Sequence, residues 1–325
     1  MKDSLKAVTI GDINGIGIQI LIKLWKNNNK KLGNFILVTN LNLFNKFLDK
    51  QKIKLPLKKI NDQINNFKIY KKYFLVYDII AKNSNENAYN SLIEAYYLVK
   101  KMKCSAIITL PINKEKINKN IDKNFRGQTE FFQKLDNQKI SNMFFYSKKT
   151  IITSLTTHIP LNKVSSFFKN QKNLHHKIIS INDTLIRDFN IKKPKLIISG
   201  INPHAGEYGV IGKEEEKYLI PLIKRIKKEK INIEGPVSGD TLFTKMNFKK
   251  YDCFICTYHD QALIPFKLIN EFNGVNYTGS LSIIRLSPAH GTAYKLKINQ
   301  ANLDSIYECF KLSNKIYNNR KKNNN

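Results

Sequence analysis

Cys253-Phe254-Ile255-Cys256-Thr257-Tyr258-His259-Asp260-Gln261 joins four apolar residues directly to an imidazole and a carboxylate. The apolar run reads as a buried strand, so His259 and Asp260 are delivered to its C-terminal end. In open α/β sheets ligands bind outside that edge. A single histidine there serves local hydrogen bonding as readily as ligation. Two further histidines share the setting. His158 follows Ile151-Ile152-Thr153-Ser154-Leu155-Thr156-Thr157, and His204 follows Lys195-Leu196-Ile197-Ile198-Ser199-Gly200-Ile201-Asn202-Pro203. Three of the six histidines therefore lie just past strand-like runs, at what would be a common sheet edge. A three-imidazole metal site needs that convergence.

Outward from this edge, Lys6 to Ile10 reads as a first strand and runs into the glycine turn Gly11-Asp12-Ile13-Asn14-Gly15-Ile16-Gly17. A helix with apolar residues at Ile18, Ile22 and Trp25 follows. The spacing is not the dinucleotide fingerprint, and a tight turn explains it equally well. Phe35 to Thr39 and Ala106 to Leu110 are further strands, and Glu86 to Lys103 has helical apolar spacing. Strand and helix alternate, which predicts a mostly parallel sheet with helices on both faces. Arg126 to Phe132 reads as a turn entering a helix, and Phe144 to Tyr146 with Ile151 to Leu155 as a hairpin. Asn173 to Asp188 and Lys213 to Lys230 read as helices, with His175 and His176 on the surface. Gly235 to Phe243 reads as a loop carrying Asp240, and Ser282 to Arg285 as a short extended stretch. Lys46 to Lys72 is expected to be surface structure and the Asn/Lys tail from Asn318 to fray.

A chain of 325 residues is long enough for two domains around a cleft. The formal charge of +30 first suggests a nucleic-acid or membrane-surface protein, but the lysines are spread along the whole chain with Asn and Ile. That pattern is a compositional bias and not a basic groove with interleaved aromatics, so neither nucleic acid nor membrane is expected as a partner. No run is apolar enough to span a bilayer, and the N-terminus lacks a signal-peptide core, which points to the cytoplasm. Four cysteines do not make a disulfide framework; Cys253 and Cys256 are expected to pack in the core.

In order along the chain, Thr156-Thr157-His158-Ile159-Pro160-Leu161, Asn202-Pro203-His204-Ala205-Gly206-Glu207, Gly239-Asp240-Thr241 and Tyr258-His259-Asp260-Gln261, with Lys267, Asn276 and Arg285 downstream, resemble the 4-hydroxythreonine-4-phosphate dehydrogenase family of pyridoxal phosphate biosynthesis. The resemblance implies an α/β fold of two α/β/α domains with mostly parallel sheets, like the isocitrate and isopropylmalate dehydrogenases, and an active site in the interdomain cleft. Residues 1–130 plus 286–325 would form the first domain, and residues 131–285 the second, with most metal and substrate ligands. It also implies a homodimer with the metal site near the subunit interface, and a divalent cation (Zn, Mg or Co) held by His158, His204 and His259. Those histidines, Asp240 and Lys267 would be catalytic. Gln128, Thr129, Lys267, Asn276 and Arg285 would hold a phosphorylated small-molecule substrate. Gly11, His290, Gly291 and Thr292 would line the site of NAD, with NADP as the second option.

The implied reaction is oxidation of 4-phosphooxy-L-threonine to 2-amino-3-oxo-4-phosphooxybutanoate, which decarboxylates to 3-amino-2-oxopropyl phosphate. Its chemistry suits these residues. A secondary alcohol is a poor hydride donor while it keeps its proton, and a cation held by neutral imidazoles keeps the charge that favours the alkoxide. Lys267 and Arg285 offer the charge and fork geometry that a phosphate monoester needs, and Asp240 or Asp260 could orient an imidazole or the substrate ammonium or equally cap a helix or close a loop. The chain departs from the family where Ile13-Asn14 replace Pro-Ala, Gln128 replaces His, Ala262 replaces Gly and Ala289 replaces Asp. Gln128 can carry neither a proton nor a charge. It keeps open a phosphorylated sugar acid, D-threonate or D-erythronate 4-phosphate, as the alternative substrate.

Overall fold

In a computed structural model of the protein, residues 4–60, 72–271 and 273–323 are described, with the side chains of residues 28–31 outside that description. The chain packs as two compact units, one from Met1–Phe132 and Ser282–Asn318, the other from Gln133–Leu281 and the stretch from Asn319. The first begins with strands β1 (Lys6–Thr9), β2 (Phe35–Thr39), β3 (Leu57–Ile60), β4 (Phe74–Asp78) and β5 (Ala106–Thr109). The second holds β6 (Asn142–Tyr146), β7 (Ile151–Ser154), β8 (Lys195–Ser199), β9 (Asn232–Val237), β10 (Cys253–Cys256) and β11 (Val275–Gly279), after which β12 (Arg285–Pro288) returns to the first.

In the first unit the order is β3-β4-β2-β1-β5-β12, and every pair is parallel. Parallel strands are covered on both faces, which is why β1, β2 and β5 are buried throughout. The cost is visible at Lys6, whose stem and head are both enclosed. The helices Ile16–Leu32 and Ser84–Lys100 connect these strands in the alternating order expected of an α/β fold. Asn83 caps the second of them by accepting from the backbone N–H groups of Asn85 and Glu86.

The second unit has the order β11-β6-β7-β10-β8-β9. The β6–β7 hairpin and the β11–β6 pair are antiparallel, while β7, β10, β8 and β9 run parallel. Strands β7, β8 and β10 therefore end on one edge, each followed within a few residues by one of the three motif histidines. Cys253 and Cys256 are free, fully buried thiols of β10, with burial pushing both well above the ordinary thiol range.

Several stretches depart from the sequence reading. Gly235-Pro236-Val237 is not loop but the end of β9, an edge strand where proline removes no ladder donor that the sheet needs. The strand near Arg285 starts at that residue and not at Ser282. The Lys/Asn-rich region begins in the amphipathic helix Leu41–Lys50, which buries Phe44, Phe47 and Leu48, and continues into β3; residues 61–71 lie outside the described ones. The tail does not fray at Asn318: the helix Asp304–Asn323 continues because Arg320 is drawn onto the buried Asp188. Asp188 also takes two hydrogen bonds from Arg187 and one from the Tyr277 hydroxyl. The helix expected over 213–230 opens with a π turn, Glu215–Leu219, before Ile220–Lys228.

Candidate functional site

Side-chain bonds lace the ends of β7, β10 and β8 together. Leu155 N–H and the Thr156 hydroxyl donate to the carbonyls of Cys256 and Thr257. Gln261 Oε1 accepts from Ser199 Oγ (2.6 Å) and from the Thr257 backbone N–H (2.8 Å), while its Nε2 donates to the Gly200 carbonyl (3.0 Å). Gln261 thus stitches β8 to β10 below the histidines. Its place beside His259 and Asp260 gives no hint of this role, because nothing local marks an amide as a cross-strand stitch.

On this base His158 and His259 come together, with ring centroids 5.7 Å apart. A Zn–N bond of about 2.1 Å plus a ring radius of about 1 Å puts a shared ion ~3 Å from each centroid, so the separation is compatible with one divalent cation between the two rings. Asp260 Oδ1 lies 2.7 Å from His259 Nδ1. That contact orients the ring and leaves Nε2 for an ion, the usual role of a carboxylate behind a ligating imidazole. The donor set fits a divalent cation as far as these two rings.

His204 is not closed onto the pair. Among the described residues no group of three or more His, Cys, Asp or Glu side chains is arranged to hold a metal ion. From His204 to Tyr208 every residue has positive φ (52°, 52°, 83°, 44° and 56°), a left-handed turn within Pro203–Gly209. Each non-glycine residue there costs about 1–2 kcal/mol, so the segment exists only because its surroundings hold it. His204 is nonetheless close enough to Asp240 to act on it. The hydrogen bond from Ser238 Oγ to Asp240 Oδ1 (2.5 Å) holds that carboxyl below its usual range, with the backbone N–H groups of Asp240 and Thr241 and the nearby His204 adding to the effect.

The substrate-binding candidates separate. Lys267 is exposed, on the helix His259–Asn270 that begins with His259. Asn276 Oδ1, on β11, is buried without a hydrogen-bond partner among the described residues, an acceptor that awaits a donor. Arg285 and Gln128 do not present themselves to a ligand. Arg285 is 2 % exposed. Its guanidinium donates to Thr109 Oγ1 (2.6 Å) and to Gln128 Oε1. Gln128 Nε2 in turn donates to the Leu110 carbonyl (3.0 Å), so the Gln128 amide is engaged at both ends. Burial pulls the Arg285 pKa down to about 10, with the charge of Glu130 acting against the shift. Both side chains face inward because a buried guanidinium needs acceptors, and β5 and the first turn of the helix Gln128–Leu135 supply them. Thr129 is buried in the same turn.

The cofactor candidates form one cluster in the first unit. Gly11 has φ +65°, and a Cβ there would fall 2.5 Å from the Pro111 carbonyl oxygen. Ile16 N–H donates to the Thr292 carbonyl (2.9 Å), and a Cβ at Gly15 would lie 3.0 Å from the same oxygen. The glycine turn and the His290–Thr292 loop therefore touch, and Gly291 faces open space. Tyr294 ties them further: its hydroxyl donates to Asp12 Oδ2 (2.6 Å) and accepts from Asn113 Nδ2 (2.7 Å). Neither Asp12 nor Tyr294 stood out in the sequence, because the pairing joins residues 282 positions apart.

The family model of the pyridoxal phosphate biosynthetic protein PdxA matches residues 30–313. A relative from Zymomonas mobilis named 4-hydroxythreonine-4-phosphate dehydrogenase is 34 % identical over 303 residues, covering 89 % of this chain and 88 % of its own. A relative from Pectobacterium atrosepticum named D-threonate 4-phosphate dehydrogenase is 29 % identical over 302 residues, 89 % of this chain and 92 % of that one. The crystal structure of a 4-hydroxythreonine-4-phosphate dehydrogenase from Klebsiella pneumoniae superposes with a TM-score of 0.84 at 27 % identity, covering 97 % of this chain and 98 % of that one.

Proposed function

The chain belongs to the family of the pyridoxal phosphate biosynthetic protein PdxA, and on that footing we propose that it oxidises 4-phosphooxy-L-threonine with NAD. The observation that carries the reading is the match to family and relatives over nearly the whole chain. The protein is an oxidoreductase of pyridoxal phosphate biosynthesis. The carbon bearing the hydroxyl, next to the amino carbon, gives up a hydride and its oxygen a proton. The resulting 2-amino-3-oxo-4-phosphooxybutanoate loses carbon dioxide, its amino carbon taking up a proton from water through the enol, to leave 3-amino-2-oxopropyl phosphate.

His158, His204 and His259 are the residues that would hold a divalent cation, and Gly11, His290, Gly291 and Thr292 those that would line the nicotinamide dinucleotide. A cation bound to neutral imidazoles supplies Lewis acidity, which favours departure of the hydroxyl proton. Asp260 keeps the His259 ring turned so that Nε2 is free to ligate. Lys267 lies eight residues beyond His259, about 12 Å along the same helix, and would meet the phosphate. The unpartnered Asn276 Oδ1 can accept from the substrate's ammonium or hydroxyl, not from an ionised phosphate, which has no proton to give. Asp240, held ionised, complements the ammonium. Gln128 and Arg285 act from beneath: their mutual bonds fix the first turn of the helix that carries Thr129.

No helix among the described residues is long and apolar enough to cross a membrane. The free, buried cysteines suit a reducing cytoplasm. We place the subunit in a homodimer, because Leu161, Tyr208 and Val210, on the loops beside His158 and His204, are 72 %, 95 % and 81 % exposed. Large exposed apolar side chains on loops beside a site are of the kind that a partner subunit covers.

A second reading keeps the chemistry and changes the substrate to D-threonate or D-erythronate 4-phosphate, favoured by Gln128 where a histidine is usual. NADH formation by metal-loaded protein with the three substrates in parallel decides between them. Higher kcat/KM on the amino acid supports the first reading, higher kcat/KM on a sugar acid the second, and no turnover on any of them defeats both.

A further inference from the structure

The left-handed turn that carries His204 is rooted on a buried carboxylate. Glu215 is 1 % exposed. Its Oε1 accepts from the backbone N–H groups of Ile201 (2.7 Å) and Asn202 (2.8 Å), and its Oε2 from Asn202 Nδ2 (2.9 Å). Glu214 grips the same amide, with Oε2 2.8 Å from Asn202 Nδ2, and is itself held by Ser165 Oγ at 2.7 Å. Three glycines make room for this arrangement. A Cβ at Gly206 would lie 2.7 Å from Glu215 Oε2, one at Gly200 3.0 Å from Glu215 Oε1, and one at Gly212 2.2 Å from Asn202 Nδ2. The π turn Glu215–Leu219 begins at the gripping residue, and such turns recur where a helix is bent to serve a site.

We propose that Glu215, assisted by Glu214, is the positioning residue of His204: the two carboxylates clamp Ile201 and Asn202 and so fix where the imidazole stands at the sheet edge. Neither touches substrate or ion. Glu215 acts through the backbone N–H groups two and three residues before His204, and both carboxylates act through the Asn202 side-chain amide, as a second ring of acceptors acts behind a metal ligand. The inference rests on the reading of His204 as a ligand, and the experiment separates the two.

Co2+ is titrated into purified full-length protein and followed by its visible absorption, in the wild type and in Glu215→Gln, Glu214→Gln and His204→Ala, with a thermal melt of each. Gln keeps the size of Glu215 but loses its charge and one acceptor. The expected result for folded Glu215→Gln is Co2+ affinity lowered about 10- to 100-fold, the range for loss of an orienting partner, with turnover recovering at excess Co2+. His204→Ala should lose affinity without that recovery. If Glu215→Gln does not fold, Glu214→Gln is read in its place and should weaken Co2+ binding severalfold. Wild-type affinity in the folded glutamine variant, beside a loss in His204→Ala, overturns the positioning role alone. Wild-type affinity in His204→Ala removes the ligand reading on which it stands.

Discussion

His259 and Gln128 show two ways in which one residue's surroundings decide its chemistry. The His259 ring is turned by Asp260, so the substitution Asp260→Asn should lower metal affinity and kcat/KM about 10- to 100-fold while the melting temperature stays nearly constant. A melt that falls in step with the activity would instead make Asp260 a structural acid. Gln128 carries the opposite lesson. Its carbonyl accepts from the buried Arg285 and its amide donates to Leu110, so the histidine usual in the family, whose one acceptor nitrogen stands elsewhere than Oε1 and is lost on protonation, leaves an enclosed guanidinium short of an acceptor. Leaving a buried charged donor short of partners costs about 1–3 kcal/mol. Gln128→His is therefore expected to lower the stability to denaturant by that amount; an unchanged midpoint would show that Arg285 has partners enough without it.

At the scale of elements, the glycine turn before the helix Ile16–Leu32 and the end of the helix Asp304–Asn323 each contain one residue that allows little substitution. Gly11→Ala would place a methyl group 2.5 Å from the Pro111 carbonyl at φ +65°. The turn must shift, and NAD affinity, measured by fluorescence titration, is expected to fall more than Co2+ affinity, since the histidines lie in the other unit. Equal loss of both would mean that the change unfolds the chain. The C-terminal helix depends on Asp188, whose side chain is fully enclosed between Arg187, Arg320 and Tyr277. Burial raises this carboxyl, but the hydrogen bond from Arg187 and the charge and hydrogen bond of Arg320 outweigh it, so its folded pKa is depressed. A depressed carboxylate contributes stability that is fully present above its unfolded pKa of about 3.9 and is lost as pH falls through the folded value. Removing the charge by Asp188→Asn is expected to cost about 3–5 kcal/mol at neutral pH, and the variant should lose less of its stability than the wild type below about pH 4. Parallel acid limbs for the two proteins would contradict this.

For the whole molecule, the exposed apolar residues beside the histidine loops and the +30 charge point in different directions. Light scattering is expected to give a mass near twice the 37.7 kDa of the chain, and the charge is expected to produce no specific affinity for duplex DNA at about 0.15 M salt. Persistent binding at that salt, where counterion release has weakened diffuse attraction, would make the basic surface functional.

The sequence by itself determined strands β1, β2, β5, β6, β7, β8 and β10, though not β3, β4 or β9, together with the alternating order and the placing of His158, His204 and His259 just past strand ends. These features are local: a buried parallel strand needs a short apolar run, and the residues just past it in the chain stay at its end in space. The family was legible from the same stretches, because motif residues keep their order. Which side chains bond to one another was decided only by the tertiary structure. Arg285 and Gln128 are 157 positions apart, and nothing near either one says that each will bond to the other. The left-handed turn at His204 and its rooting on Glu215, like the ordering of the tail by Asp188, depend on where distant polar groups are buried. A buried charge takes whatever partner packing brings to it, and packing is set by the whole chain.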